Sequence, residues 1–202
     1  MITEILLSAG LAGSVVQAPG YDSAYTSLEQ CEEIAPLAGA PFAMQCDGRD
    51  GIGVVVGYSD AVQRAAFGDL GHEAQFSESP LNTGAFQALA ETLEWRLKDG
   101  EAFATILRWT AYRPAFDPDT GEETGVFDTV EHYLTVSALR PGGQNGVSAC
   151  HVAYVDLSTT WRANDVARRI AERDAPGFVC GEDAPRFVDP DESIAVLEDA
   201  PG

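Results

Sequence analysis

Residues 93–106 read Leu93-Glu94-Trp95-Arg96-Leu97-Lys98-Asp99-Gly100-Glu101-Ala102-Phe103-Ala104-Thr105-Ile106. Asp99-Gly100 is the dipeptide a type I′ turn demands, because both of its central residues need positive φ. With these two as the loop, Lys98 faces Glu101, Leu97 faces Ala102, Trp95 faces Ala104 and Leu93 faces Ile106. One face of the hairpin is then apolar throughout, as a register set by burial requires. The same register sets Glu91 opposite Arg108. Continuing the second strand puts Phe103, Leu107 and Trp109 on the other face. A strand apolar on both sides is expected in the middle of a sheet.

Outward from the hairpin the pattern is mostly strand. Ile52–Tyr58 is β-branched and short, and Ser59-Asp60 offers a turn into Ala61–Phe67. Val130 to Ala138 alternates, with Val130, His132, Leu134, Val136 and Ala138 on one side. A Gly-rich turn from Pro141 to Gly146 leads into a strand from Val147 to Asp156. Leu81 to Ala90 is expected as a short helix. From Ala163 to Ala175 the apolar residues recur at helical spacing, and Pro176-Gly177 stops the helix. Asp165–Arg169 and Arg168–Glu172 are i,i+4 opposite-charge pairs. Ser158-Thr159-Thr160 and Asn164 read as capping residues. The expected fold is α+β: an antiparallel, meander-like sheet of about five or six strands with a C-terminal helix packed on it.

The length of 202 residues fits one domain by the prior of roughly 150 residues per domain. The expected division is 1–18 as a signal peptide, 19–180 as one α+β domain and 181–202 as an acidic, disordered tail. The first segment holds an apolar stretch, Ile5–Val16, followed by the small-residue pattern Val16-Gln17-Ala18. No base precedes it and Glu4 does, so a buried N-terminal helix or strand is the alternative. The last segment carries seven acids, one arginine and three prolines, too polar to offset its ordering entropy. The whole chain has 32 acids against 12 bases, a formal charge of −20. That balance argues against nucleic acid as a partner. No apolar run approaches the roughly 20 residues of a membrane span.

There are four cysteines, Cys31, Cys46, Cys150 and Cys180, and no CxxC pair among them. Zinc and thioredoxin-type sites draw on close pairs, so two structural disulfides in an oxidising compartment are expected instead. Of the three possible pairings the expected one is between nearest neighbours, Cys31–Cys46 and Cys150–Cys180. Four free thiols are the alternative.

The set Leu93-Glu94-Trp95-Arg96-Leu97, Phe103-Ala104-Thr105-Ile106-Leu107-Arg108-Trp109, Tyr154-Val155-Asp156, Asn164, Ala167-Arg168 and Phe178-Val179-Cys180, together with the four cysteines, resembles the frame of an uncharacterised family of exported alphaproteobacterial proteins. The likeness runs from Tyr25 to Cys180. It implies export and disulfides, and it supplies no catalytic residue.

No nucleophile elbow, HExxH, Walker loop or Rossmann glycine pattern occurs. Cys150-His151 is no thiol dyad, because adjacent strand residues point to opposite faces. Asp117, Asp119, Glu122 and Glu123 could offer oxygens to Ca²⁺, but the ligand count of an EF-hand loop is short, and a solvated hairpin tip is expected. Arg108 stands out, a charge inside an apolar strand. With Glu91, Arg96 and Trp109 it forms the candidate site, an anion- or aromatic-recognition patch. The expected function is a small exported domain, periplasmic or secreted, that binds an unknown protein or small molecule. It is expected to work without catalysis, metal or cofactor. The alternatives are a periplasmic hydrolase assembled from separated strands and a cytoplasmic structural protein with free thiols.

Overall fold

The computed structural model describes residues 20–60, 62–68, 86–141 and 147–198. The expected signal segment, His72 and most of the Gly-rich turn lie outside them, as do residues 81–85. Ten strands follow in chain order: β1 (Tyr21–Ser27), β2 (Cys31–Ile34), β3 (Phe42–Arg49), β4 (Ile52–Ser59), β5 (Val62–Gly68), β6 (Phe86–Lys98), β7 (Glu101–Phe116), β8 (Glu123–Pro141), β9 (Val147–Asp156) and β10 (Arg186–Val188). Two helices join them, α1 (Ala163–Asp174) and α2 (Pro190–Glu198). A 3-10 turn, Ala175–Gly177, ends α1 at the expected Pro-Gly stop.

All ten strands belong to one mixed sheet in the order β10-β9-β8-β7-β6-β5-β4-β3-β2, with β1 beside β6. The β5–β6 and β9–β10 pairs are parallel and the rest antiparallel. This overturns the expected antiparallel meander of five or six strands. The missing strands are the ones whose composition hides them. β1 and β2 are rich in Ser, Asp and Glu, β3 is interrupted by the polar run Gln45-Cys46-Asp47-Gly48, and β10 is three residues long. Such segments become strands by pairing, not by propensity. The parallel β10 exists because α1 carries the chain back across the sheet, the connection a parallel pair needs. Phe86–Ala90, expected as helix, is the start of β6.

The turn at the centre is as expected: Asp99 and Gly100 have φ of 53° and 89°. Lys98 faces Glu101 and Leu97 faces Ala102. The register then slips, so that Arg96 faces Ala104, Trp95 faces Thr105 and Leu93 faces Leu107. The extra residue is Phe103, a bulge. One step of register decides which residues share a face. Leu93, Trp95 and Leu97 therefore join Leu107 and Trp109, and the sheet folds so that Val54, Val56, Ala65 and Phe67 of β4 and β5 close over them. Glu94 and Arg96 join Ala104 and Ile106 on the opposite face, under the helix. A second shift between Leu89 and Leu93 leaves Glu91 out of line with Arg108, whose ladder partner in β8 is Leu134.

The stripe of α1 packs as its spacing requires. Val166, Ala167, Ile170 and Ala171 are fully buried against Ile106, Leu134, Val136 and Val155. Its surface pairs differ from the expected i,i+4 set: Arg162–Asp165, Arg168–Asp165 and Arg169–Glu172 are i,i+3. The helix also starts without a side-chain cap, after a left-handed Arg162. Ser158 instead donates from its amide and hydroxyl to the Asp156 carboxylate.

The acidic C-terminal segment corrects a further expectation. Through Glu198, the last described residue, it docks instead of remaining solvated. Val188 and Val196 are buried in the α1 core, and Arg186 donates to Asp174 and Glu192 at 2.7 and 2.8 Å. Two buried aliphatic side chains contribute roughly 1.5–3 kcal/mol each. Truncation after Cys180 should therefore lower the melting temperature by about 10 °C, at roughly 2–4 °C per kcal/mol for a chain of this size. Circular dichroism melts check this, and an unchanged midpoint would show that the segment contributes nothing.

Both disulfides join nearest neighbours, and all four cysteines are used. Cys31 and Cys46 face each other across β2 and β3 with Cα atoms 4.2 Å apart. Cys150–Cys180 ties β9 to the chain just past α1, 30 residues on. The free-thiol alternative falls with these pairings. A closed loop of 15 residues stabilises by about 3 kcal/mol and one of 30 by slightly more. Cys180→Ser should raise hydrogen exchange through residues 175–198, while Cys46→Ser should leave that region protected.

Candidate functional site

Helix α1 covers only part of the sheet face on its side. Along β7 the residues pointing to that face are Ala104, Ile106, Arg108, Thr110 and Tyr112, and the cover ends after Ile106. Arg108 therefore emerges beside the helix, into a cleft of about 460 Å³. Ile106 and Leu134 form its floor. Asn164 and Arg168 of α1 form one wall, and Tyr25, Glu91 and Glu94 the other.

Most charges around this cleft are already engaged. Arg168 donates to Glu94 through Nε at 2.7 Å and Nη2 at 3.0 Å, a two-pronged contact, and Nη2 also reaches the Tyr25 hydroxyl at 3.3 Å. The hydrogen bond to Glu94 raises the Arg168 pKa above its usual value; burial opposes this and the Glu94 charge adds to it. The Ser23 hydroxyl donates to Glu94 Oε1 at 2.6 Å. Arg96 donates to Ser23 Oγ and to Glu172, and lies 3.7 Å from Glu94. Two arginines and two glutamates thus neutralise one another and hold α1, β1 and β6 together. Buried charges persist only when paired and hydrogen-bonded in this way.

Arg108 is different. Its side chain is exposed, and among the described residues it makes no hydrogen bond or ion pair. Glu91 likewise reaches the cleft without a side-chain partner there among the described residues. Of the four residues read from sequence, Arg108 and Glu91 therefore meet at one cleft, while Arg96 and Trp109 do not. Arg96 is locked inside the ion-pair network. Trp109 is buried on the opposite face, its ring 6.0 Å from that of His151.

As members of the site, Arg168, Tyr25 and Asn164 were missed by sequence reading. Arg168 carried a partial signal: it lies one turn from Asn164 beside the apolar stripe, where a long side chain can reach back toward the sheet. Tyr25 carried none, because its place depends on β1 crossing to β6.

Two other sequence features resolve into structure. His151 is buried, with Nδ1 3.1 Å from the Tyr154 hydroxyl, and burial lowers its pKa to about 4. Its neighbour Cys150 is in a disulfide. At the hairpin tip the Asp117 carboxylate accepts the amides of Asp119 at 2.8 Å and Thr120 at 3.0 Å, which lowers its pKa. Among the described residues no group of three or more His, Cys, Asp or Glu is placed to hold a metal ion. No described helix is long and apolar enough to cross a membrane. Comparison with protein-family models, with curated proteins and with solved structures finds no match.

Proposed function

We propose that the protein is an exported binding domain that holds a small anionic ligand at Arg108 and does not transform it. The observation that carries this is the exposed Arg108 guanidinium, unpartnered among the described residues in a cleft whose other arginine is neutralised. Guanidinium forks suit carboxylates, and Ile106 and Leu134 beneath offer apolar surface to the rest of such a ligand. The two disulfides support export, since such bonds persist in oxidising compartments. The resemblance to exported alphaproteobacterial proteins supports it too. A hydrolytic reading would need a second group at the cleft to share proton transfer with Glu91, whereas the other carboxylate, Glu94, is held by Arg168 and Ser23.

Phenylacetate is a suitable probe because it joins one carboxylate to one apolar ring. Titrated into the whole chain, it should shift the amide resonances of Arg108 and Asn164. Arg108→Gln should weaken binding about tenfold or more, the scale of one charge-assisted hydrogen bond. Arg113→Gln, on an exposed ion pair elsewhere, should leave it unchanged. Shifts confined to other surfaces, or equal affinity in the Arg108 variant, would refute the assignment.

A further inference from the structure

Strand β8 is 19 residues long, yet β9 pairs only with its second half, from Tyr133 onward. On the other side, β6 accompanies β7 no further than Tyr112. The segments Arg113–Phe116 and Glu123–Thr129 therefore leave the sheet as a two-stranded ribbon, paired only with each other among the described residues. A ribbon of two strands is at best marginally stable alone in water. Its outer edges present unpaired backbone groups, a template for another strand.

The side chains sharpen this. Val126, Phe127 and Val130 on β8 are 60%, 50% and 47% exposed. The Phe127 ring packs against Phe86 and Tyr112, with centroids 5.7 and 5.1 Å away, which fixes it as a half-open apolar surface. On the β7 edge Pro114 removes an amide donor, so that edge is blunted and the β8 edge is not. From Arg113 to Glu131 there are six acids and one arginine, and Arg113 is already paired with Glu131 at 3.0 Å. Acids along an edge repel a second acidic strand and attract a cationic one.

We propose that the free β8 edge, residues Thr124–Val130, takes an extended cationic segment of another protein as an added strand. Backbone hydrogen bonds supply the register, and alternating apolar side chains of the guest meet Phe127 and its ring neighbours. A second copy of this chain is a poor guest, because it brings the same acids and a formal charge of −20. The surface lies farther along the β7–β8 ladder than the Arg108 cleft, and either assignment can fail without the other.

The test uses a labelled, end-capped ten-residue peptide of alternating lysine and valine, titrated into the whole chain by fluorescence anisotropy. Two further peptides carry N-methyl groups on the lysines or on the valines, and a fourth alternates glutamate and valine. The parent peptide should bind, and its affinity should fall about tenfold or more between about 0.05 and 0.5 M NaCl. One N-methylated peptide should lose binding and the other keep it, because a strand turns only one edge to its neighbour. Phe127→Ser and Asp128→Lys, both at exposed positions, should each weaken binding several-fold while circular dichroism stays unchanged. The proposal fails if the parent peptide does not bind, if the glutamate peptide binds equally, or if both N-methylated peptides bind like the parent. It also fails if the chain sediments as a dimer that Phe127→Ser dissociates, since the guest would then be a second copy.

Discussion

Replacing Glu94 with glutamine should destabilise the protein by about 3–5 kcal/mol, the cost of removing one charge from a largely buried network and leaving Arg96 to Glu172 and Arg168 to Asp165. Glu94 is the hub of the ion-pair network: it accepts from Ser23 and twice from Arg168, and it sits beside Arg96. Arg96 and Glu94 are 5% and 7% exposed, so water cannot take over the lost partner. For a chain of this length the melting temperature should fall by roughly 10 °C or more. Arg113→Ala gives the contrast. It breaks an exposed pair with Glu131, and such pairs contribute about 0–1 kcal/mol. Chemical denaturation of the two variants beside the parent measures both. Equal losses would mean that the network is no stronger than a surface pair.

Acid should weaken the fold through His151 before most of its carboxylates are protonated. Burial lowers the His151 pKa to about 4, against an ordinary value of 6.5. The unfolded chain therefore binds the proton more readily than the folded one. The stabilisation that follows from a neutral His151 is complete above about pH 6.5 and is lost as pH falls toward 4. The loss amounts to about 3 kcal/mol over that span, of which roughly 2 kcal/mol has gone by about pH 5. Asp174 works on a lower window. Burial would raise its pKa, but hydrogen bonds from Arg173 and Arg186 keep it below the usual carboxylate value. Denaturation free energies between about pH 7.5 and 5 should thus slope downward in the parent and run nearly flat in His151→Gln. That variant carries a constant offset for the altered packing against Trp109 and Tyr154. The same slope in both chains would remove His151 from the account.

The central hairpin was legible because Asp-Gly has one physical job, two positive φ angles in a row. The register above it was not, and the reason is specific. Strand β7 is apolar on both faces, so Trp95 fits opposite either Ala104 or Thr105 without exposing apolar surface. Where burial does not choose, a bulge leaves no trace in the pattern. Asp50-Gly51, with φ of 53° and 80°, turns β3 into β4 by the same device, and that signal was available in the sequence. The C-terminal segment misled for another reason. Seven acids dominate its composition, but docking needs only two seats, Val188 and Val196, on a surface that α1 already offers. Arg108 was visible as a charge in an apolar strand. That it has no direct cross-strand pairing with Glu91 was not, because that depends on the second register shift.

The position of β1 has a consequence for how quickly the chain can fold. Trp95 Nε1 donates to Thr26 Oγ1 at 2.9 Å across 69 positions, and the whole of β1 pairs with Thr92–Lys98. During synthesis β1 is made before the strand it pairs with exists. β2 to β5 can close their local turns, and Cys31 can find Cys46, while β1 is still waiting. Its docking then requires loop closure over dozens of residues, and chains dominated by such distant pairings fold in milliseconds to seconds, not microseconds. Glu94 and Arg168 cannot assemble around Ser23 and Tyr25 until that step, so the helix-side cleft is completed only when the first described strand arrives.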